Sequence, residues 1–244
     1  KEELNLAFEK EKELNELKSG FVTVASHEFR TPLSTILSSA YLLGKYSELH
    51  QDPKLEKHIH RIKIAVEGMK DMLEDFLSLD KMEEGLVQPN IEAVNPSAMD
   101  GILRDLLEEL DGLLKENRKI QLINSVEKDI WVDRGLLKNI LINLLSNAIK
   151  FTTEDGVIIV NAHIEGDNYV ISVEDNGIGI SEDDQQHLFE RFFRAKNAGN
   201  IQGTGLGLHI IGKYLQLLDG TIRLKSTLNE GTTVAIYIPQ PLQP

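Results

Sequence analysis

The sequence predicts an α + α/β protein: an antiparallel helical hairpin followed by an α/β domain built on a mixed sheet. Three observations predict it. Apolar residues recur at three/four spacing as far as Glu84, Pro89 to Pro96 breaks that pattern, and helical and strand-like runs alternate from there on. At 244 residues, 41% hydrophobic and 27% charged, the chain is long enough for two ordinary cores.

Residues 1–20 are charge-rich, with Leu4, Ala7, Leu14 and Leu17 near heptad spacing and Glu11 interrupting them. The pattern suits the end of a coiled coil or, equally, a solvated helix extension. Val22, Ala25, Phe29, Leu33, Ile36, Ala40 and Leu43 then form one stripe of a helix expected to end near Lys45, with a turn over Ser47 to Pro53. Leu55, Ile59, Ile62, Val66, Met69, Leu73 and Phe76 alternate four and three, the period of a left-handed bundle. Two antiparallel helices alone leave much of these stripes wet, and two copies close a four-helix bundle, so a homodimer is expected. His58 and His60 are two residues apart, cannot converge on one metal, and read as solvated.

Glu83-Glu84-Gly85 ends the second helix. The expected division is a coiled-coil segment at 1–20, the hairpin at 21–88, a linker at 89–96, the α/β domain at 97–239 and a spacer-like tail at 240–244. Within the α/β domain, helical patterns cover 97–116, 133–150, 182–189 and 204–218. Strand-like runs fall at 119–126, 157–164, 168–174, 221–227 and 232–238. Strands that follow one another directly favour a mixed or antiparallel sheet with helices on one face.

The net charge of −13 includes 12 basic against 17 acidic residues over positions 1–90, so neither half is basic. Nucleic acid and anionic membrane surfaces are disfavoured as partners. The absence of cysteine excludes disulfides and thiolate metal sites and fits a reducing compartment. No apolar run approaches the ~18 residues that cross a bilayer. The chain opens on Lys1 inside a helical pattern, as a piece of a longer protein does.

Chemistry-bearing residues cluster in five places. In Ala25-Ser26-His27-Glu28-Phe29-Arg30-Thr31-Pro32-Leu33, His27 lies nearly opposite the apolar stripe, where a neutral imidazole is a usable nucleophile, although a solvated histidine is the commoner case. Thr31 shares its face one turn on, and Pro32 loosens the helix there. The helix Leu136–Phe151 sets Asn143 and Asn147 on one face with Lys150 beyond, amides that suit a divalent metal and phosphate oxygens or simply face water. A strand ends in Asp175-Asn176-Gly177-Ile178-Gly179, either a common Asp-Asn-Gly turn or a carboxylate placed for an exocyclic amine. Leu188-Phe189-Glu190-Arg191-Phe192-Phe193-Arg194 precedes a small, polar stretch at 195–202 and suits the root of a lid. Gly203-Thr204-Gly205-Leu206-Gly207-Leu208 opens a helix whose N-terminal amides suit a phosphate; it is neither a P-loop nor a dinucleotide fingerprint.

In this order and spacing the stretches closely resemble the phospho-acceptor box and the N, G1, F and G2 boxes of sensor histidine kinases, over roughly residues 20–239. The resemblance implies a Bergerat-type ATP-binding domain, shared with gyrase, Hsp90 and MutL, and the cofactors ATP and Mg²⁺. It implies that His27 accepts the phosphoryl group, that Glu28 acts as base or orienter, and that Thr31 orients water in a phosphatase reaction. Asn147, with Asn143, would hold Mg²⁺; Lys150 would contact phosphate and Asp175 adenine. Gly177, Gly179, Gly203, Thr204, Gly205, Leu206 and Gly207 would shape the pocket and lid, with Arg191 and Arg194 as candidate phosphate contacts. The implied partner is a response-regulator receiver domain, separate or fused downstream, and the implied place is the cytoplasmic portion of a larger, membrane-anchored sensor. Two rivals are an ATPase of the gyrase or Hsp90 kind and a nucleotide-binding scaffold without kinase activity. Against the first, Asn143 stands where those relatives carry the acidic residue that activates water.

Overall fold

The computed structural model describes residues 33–46, 53–111, 118–153, 155–199, 201 and 203–241. His27, Glu28, Thr31 and the 1–20 segment lie outside the described residues, as do positions 47–52 of the expected turn. The chain divides into two units, Lys1–Leu86 and Val87–Pro244.

In the first unit, residues 33–46 form helix α1 and Pro53–Glu83 form α2. Pro53 occupies the first helical position, where a missing N–H costs nothing. Gly85, with φ +68°, ends α2: Gly85 N donates to Met82 O and Leu86 N to Lys81 O, the paired bonds of a Schellman cap. The helices run antiparallel, since Lys63 Nζ lies 3.6 Å from the Tyr41 ring centroid while a Cβ at Gly44 would come 3.6 Å from Ile59 Cγ2. The stripes split by heptad position. Leu33, Ala40, Ile59 and Val66 are buried, whereas Ile36 and Leu43 are each 46% exposed and Ile62, Met69 and Phe76 are 39%, 53% and 38% exposed. One seam of each helix is covered within this chain and the other is not. His58 and His60 are exposed, as expected.

The second unit holds β1 (Glu92–Val94), α3 (Pro96–Asp111), β2 (Lys119–Asn124), β3 (Ile130–Val132), α4 (Arg134–Phe151), β4 (Val157–Glu165), β5 (Asn168–Asp175), α5 (Glu182–Gln185), α6 (Gly207–Leu217), β6 (Thr221–Thr227) and β7 (Gly231–Pro239). Five strands form a mixed sheet in the order β2-β4-β5-β7-β6, with β2 parallel to β4 and the other pairs antiparallel. β4 and β5 turn tightly, Glu165 opposite Asn168, around Gly166 at φ +59°. Ile158, Val160, Ala162, Ile171, Val173, Ile236 and Ile238 are all buried and share one face by register. α4 packs on β5 and α6, and α6 packs on β6. Eight apolar residues of α4 are buried, from Leu136 to Ile149. At ~1.5–3 kcal/mol for each large side chain, α4 is the main core element of this unit.

Four expectations need correction. Residues 89–96 are not simply a linker, because β1 pairs antiparallel with β3, Ala93 opposite Trp131, and Asn90 N donates to Asp133 Oδ2 at 2.7 Å. Three-residue strands are too short to show an alternation, so neither β1 nor β3 was visible in the pattern. The helix expected over 182–189 stops at Gln185, since Asp184 O takes the His187 N–H in a turn. The helix expected from 204 starts only at Gly207, because Thr204 and Gly205 belong to the turn that precedes it. The tail does not begin at 240: Gln240 is buried, its Oε1 accepts from Trp131 N at 2.8 Å and its Nε2 donates to Trp131 O at 3.2 Å.

That clamp yields a stability prediction. Gln240→Ala strands the outer polar groups of β3 and is expected to destabilise this unit by ~1–2 kcal/mol. Trp131 is the sole tryptophan, so urea unfolding followed by its fluorescence reads the effect directly. An unchanged midpoint would show that water replaces the clamp.

Candidate nucleotide site

The site is built at the two ends of the core helices. Asp133 caps α4, its Oδ1 accepting from Leu136 N at 2.9 Å. At the other end Thr152 N and Oγ1 both donate to Ala148 O, and the Arg118 guanidinium donates to Ile149 O, Thr152 O and Thr153 O at 2.6–3.0 Å. A cation on the last carbonyls of a helix opposes its dipole and fixes its end. Arg118 carried no motif and was missed in the sequence; only its three partners, more than thirty positions away, define its role.

Asn143 and Asn147 project from the half-buried side of α4, with Asn143 Nδ2 donating to Asn139 O at 3.0 Å, and Lys150 is exposed one turn on. Sixty positions later, Gly207 opens α6 beside them. A Cβ there would come 3.2 Å from Asn143 Oδ1 and 3.8 Å from Asn147 Nδ2. The first turn of α6 thus meets two amides, joining helix N–H groups to side-chain donors and acceptors suited to phosphate oxygens.

Asp175 stands at the end of β5 on the helix-covered face. Burial pushes its carboxyl above the usual range, opposed by hydrogen bonds from the backbone of Gly177 and Thr232, while the Glu174 charge raises it further. Gly177 N reaches Oδ1 at 2.9 Å. A half-buried carboxylate with no cation beside it among the described residues suits an acceptor for a neutral N–H donor such as an exocyclic amine. The loop beyond is tied to the helix end by Ile178 N donating to Phe151 O, and to the β6–β7 turn by Asn229 N donating to Ile178 O. Gly179 has φ +61° and its missing Cβ would lie 1.9 Å from Thr227 O, so only glycine fits.

The Phe/Arg stretch joins the second glycine motif through Phe192 N, which donates to Gly205 O at 3.1 Å. Gly205 has φ +72° with Phe192 C only 2.7 Å from its notional Cβ. Thr204 Oγ1 accepts from Leu206 N, and buried Leu206 roots the turn. Gly203 differs: a Cβ there would meet nothing within 4 Å. The aromatics of this stretch differ in burial: Phe192 is 61% exposed, whereas Phe193 is half-buried with its ring centroid 5.4 Å from that of His187, and Leu188 and Ala198 are buried.

Two residues unmarked by any motif hold the segment that follows. Buried Asp184 accepts from Lys196 N at 3.0 Å, and Asn197 Nδ2 donates to Gly179 O at 2.7 Å. Arg194 Nη2 donates to Gly199 O and Ile201 O, two of the segment's own carbonyls. Arg191 Nε donates to His209 Nε2 at 3.2 Å. The structure therefore brings Asn143, Asn147 and Gly207 together, ties Asp175, Gly177 and Gly179 into one turn, and joins Gly205 to the Phe/Arg stretch. No group of three or more metal-ligating side chains occurs among the described residues. Two neutral amides fit a divalent cation only when phosphate oxygens and waters complete its shell, the mode that suits Mg²⁺.

Residues 17–85 match the family described as His Kinase A (phospho-acceptor) domain, and residues 132–242 match the histidine kinase-, DNA gyrase B- and HSP90-like ATPase family. The chain is 32% identical to the circadian input-output histidine kinase CikA of Synechococcus elongatus, over 93% of this chain and 30% of that protein. It is 35% identical to the sensor protein GacS of Pseudomonas syringae pv. syringae, over 98% of this chain and 27% of that protein. The chain thus spans about a third or less of the length of these relatives. Among solved structures, full-length ShkA in complex with AMPPNP superposes with a TM-score of 0.69 at 26% identity, covering 89% of this chain and 45% of that one. No described helix is long and apolar enough to cross a membrane. With both family models matched in order along its length, this chain belongs to the sensor histidine kinases.

Proposed function

We propose that this chain is an ATP-dependent autokinase that phosphorylates His27 and passes the phosphoryl group to an aspartate of a receiver domain. The observation that carries the reading is the meeting of Gly207 with Asn143 and Asn147, which sets two amides beside a helix N-terminus. ATP is the substrate: an imidazole nitrogen of His27 takes the γ-phosphorus, the bond to ADP oxygen breaks, and Glu28 orients the ring or receives its proton. Lys150 and the α6 amides offset charge on the transferring oxygens. Asp175 accepts from the adenine amino group. Asn147 and Asn143, together with phosphate oxygens, would hold Mg²⁺, which would supply further charge neutralisation. The amide at Asn143 has no basic form, which disfavours the water-activating chemistry of an ATPase.

Thr31, four residues after His27, is assigned to orient water against a partner's phosphoaspartate. The homodimer rests on the uncovered seam of Ile36, Leu43, Ile62, Met69 and Phe76, which a second hairpin covers. Since ATP and receiver domains share the reducing cell interior, this portion is placed in the cytoplasm.

Incubation with γ-labelled ATP is expected to give acid-labile, base-stable label. His27→Gln should abolish it while leaving ATP binding within about threefold, because the substitution lies outside the nucleotide unit. Thr31→Ala should keep the label and slow decay of a phosphorylated receiver by about tenfold. Absence of label on the wild type would leave a nucleotide-binding scaffold.

Met69→Glu or Phe76→Glu should convert the dimer to a helical monomer in sedimentation, since a carboxylate cannot be buried unpaired in a bundle seam. A variant that remains dimeric would place the interface elsewhere.

Asp175→Asn is expected to weaken ATP binding yet leave the free protein as stable or more so at neutral pH. A carboxyl raised on folding keeps its proton longer than in the unfolded chain, so stability falls as pH rises through the raised value, and the ionised form is a standing cost above it. The amide removes that cost and still accepts from Gly177 N. Thermal midpoints across acidic to neutral pH should therefore converge toward the acid end, and a variant less stable throughout would refute this account.

A further inference from the structure

We infer that Ser226, with Gln185, positions the turn that presents Asp175 and so sets the selectivity for an amino purine, resting on the reading above that Asp175 accepts from the adenine amino group. Three contacts define the Ser226 hydroxyl. Ile180 N donates to its Oγ at 2.8 Å, and that Oγ lies 2.9 Å from Gly231 O and 2.8 Å from Thr232 Oγ1. A carbonyl oxygen only accepts, and a hydroxyl carries one proton and two lone pairs. One arrangement satisfies all three partners: Ser226 donates to Gly231 O and accepts from both Ile180 N and Thr232 Oγ1. The hydroxyl is then fully committed to the backbone and side chains around it.

These partners stand on both sides of Asp175. Ser226 of β6 lies opposite Thr232 of β7, which lies opposite Asp175 of β5, so the three share one face of the sheet. The Thr232 backbone also bonds the Asp175 carboxyl. Ile180 closes the glycine turn that Asp175 opens, and its carbonyl is held as well: Gln185 Nε2 donates to Ile180 O at 2.9 Å and to Ser226 O at 3.0 Å. Both backbone groups of Ile180 are thus tied to one residue of β6, directly or through Gln185. The start of β7 presses on the same turn, since a Cβ at Gly231 would lie 2.0 Å from Asp175 O. Holding the carboxylate from both ends before a ligand arrives lowers the ordering cost of binding. A fixed carboxylate gains from an exocyclic amine and repels a keto oxygen at the same place, whereas one free to move does less of each. Neither Ser226 nor Gln185 touches nucleotide in this account; both act through Asp175.

Calorimetric titration of the full chain with ADP and IDP, which carry an amino and a keto group at the same ring carbon, reads this without turnover. Wild type is expected to bind ADP the more tightly. Ser226→Ala, and Gln185→Glu, which loses the donor at the same size, should each raise Kd for ADP about fivefold and Kd for IDP less than about twofold. Ser226→Thr keeps the hydroxyl in a residue that suits a strand and should stay within about twofold of wild type for both. Added to Asp175→Asn, Ser226→Ala should cost no further selectivity, since both act on one contact. Thermal midpoints without nucleotide check that each variant is folded, and Gln185→Glu carries the test should Ser226→Ala unfold. If Asp175→Asn binds ADP as wild type does, or wild type does not distinguish ADP from IDP, the adenine role of Asp175 fails and the inference fails with it. If Asp175→Asn loses selectivity while the folded Ser226→Ala and Gln185→Glu variants keep the wild-type ratio of the two Kd values, only the positioning role is overturned. Equal weakening of both nucleotides is such a result, because a merely structural serine predicts it. A Thr variant as impaired as Ala overturns the role too, since the hydroxyl is then not what acts.

Discussion

The packing of α4 is the constraint from which the nucleotide unit is built. One side of this helix buries eight apolar residues against the sheet and α6, and the side between core and solvent carries Asn143 and Asn147. A helix held that firmly cannot tilt to suit a ligand, so the amides are positioned by hydrophobic packing rather than by each other. The same packing brings α6 alongside, and its glycine start lets the helix end approach within van der Waals range of the amides. Core and site are therefore two sides of one element, and a defect in the first displaces the second.

Around that helix, backbone carbonyls tie the loops together, in addition to the buried Leu188, Ala198 and Leu206. Arg118 gathers three carbonyls at the end of α4, Phe151 O receives Ile178 N, and Gly179 O receives Asn197. Each bond links segments far apart in sequence, so the turn that presents Asp175 inherits its position from both the helix end and the β6–β7 turn. Desolvation raises the Asp175 carboxyl while two backbone bonds lower it, leaving an acceptor that is already oriented and partly stripped of water. Such a group recognises a donor at little further reorganisation cost.

The helical unit follows another logic. Its stripes are cut into a covered and an uncovered half by heptad position, the arrangement a hairpin needs if a second hairpin is to complete the core. Gly85 closes the second helix by backbone geometry alone, which makes the end of that unit sharp.

The helices and the five strands of the mixed sheet were legible in the sequence because each is long enough to display a period, and the motifs were legible because glycine, asparagine and aspartate are costly unless used. β1 and β3 were not, since three residues show no alternation, and Gln240 read as tail because its burial depends on Trp131, more than a hundred positions away. Asp184, Asn197, Arg118 and Ser226 were silent for the same reason: their roles lie in partners that only folding brings near. Arg194 was legible as a cation, but its bonds to the carbonyls of Gly199 and Ile201 were not. The sequence by itself determined which chemistry this chain carries, because residue types set what can donate, accept or attack. The tertiary structure decided which of those groups meet, because a hydrogen bond acts over about 3 Å and spacing along the chain does not measure distance in space.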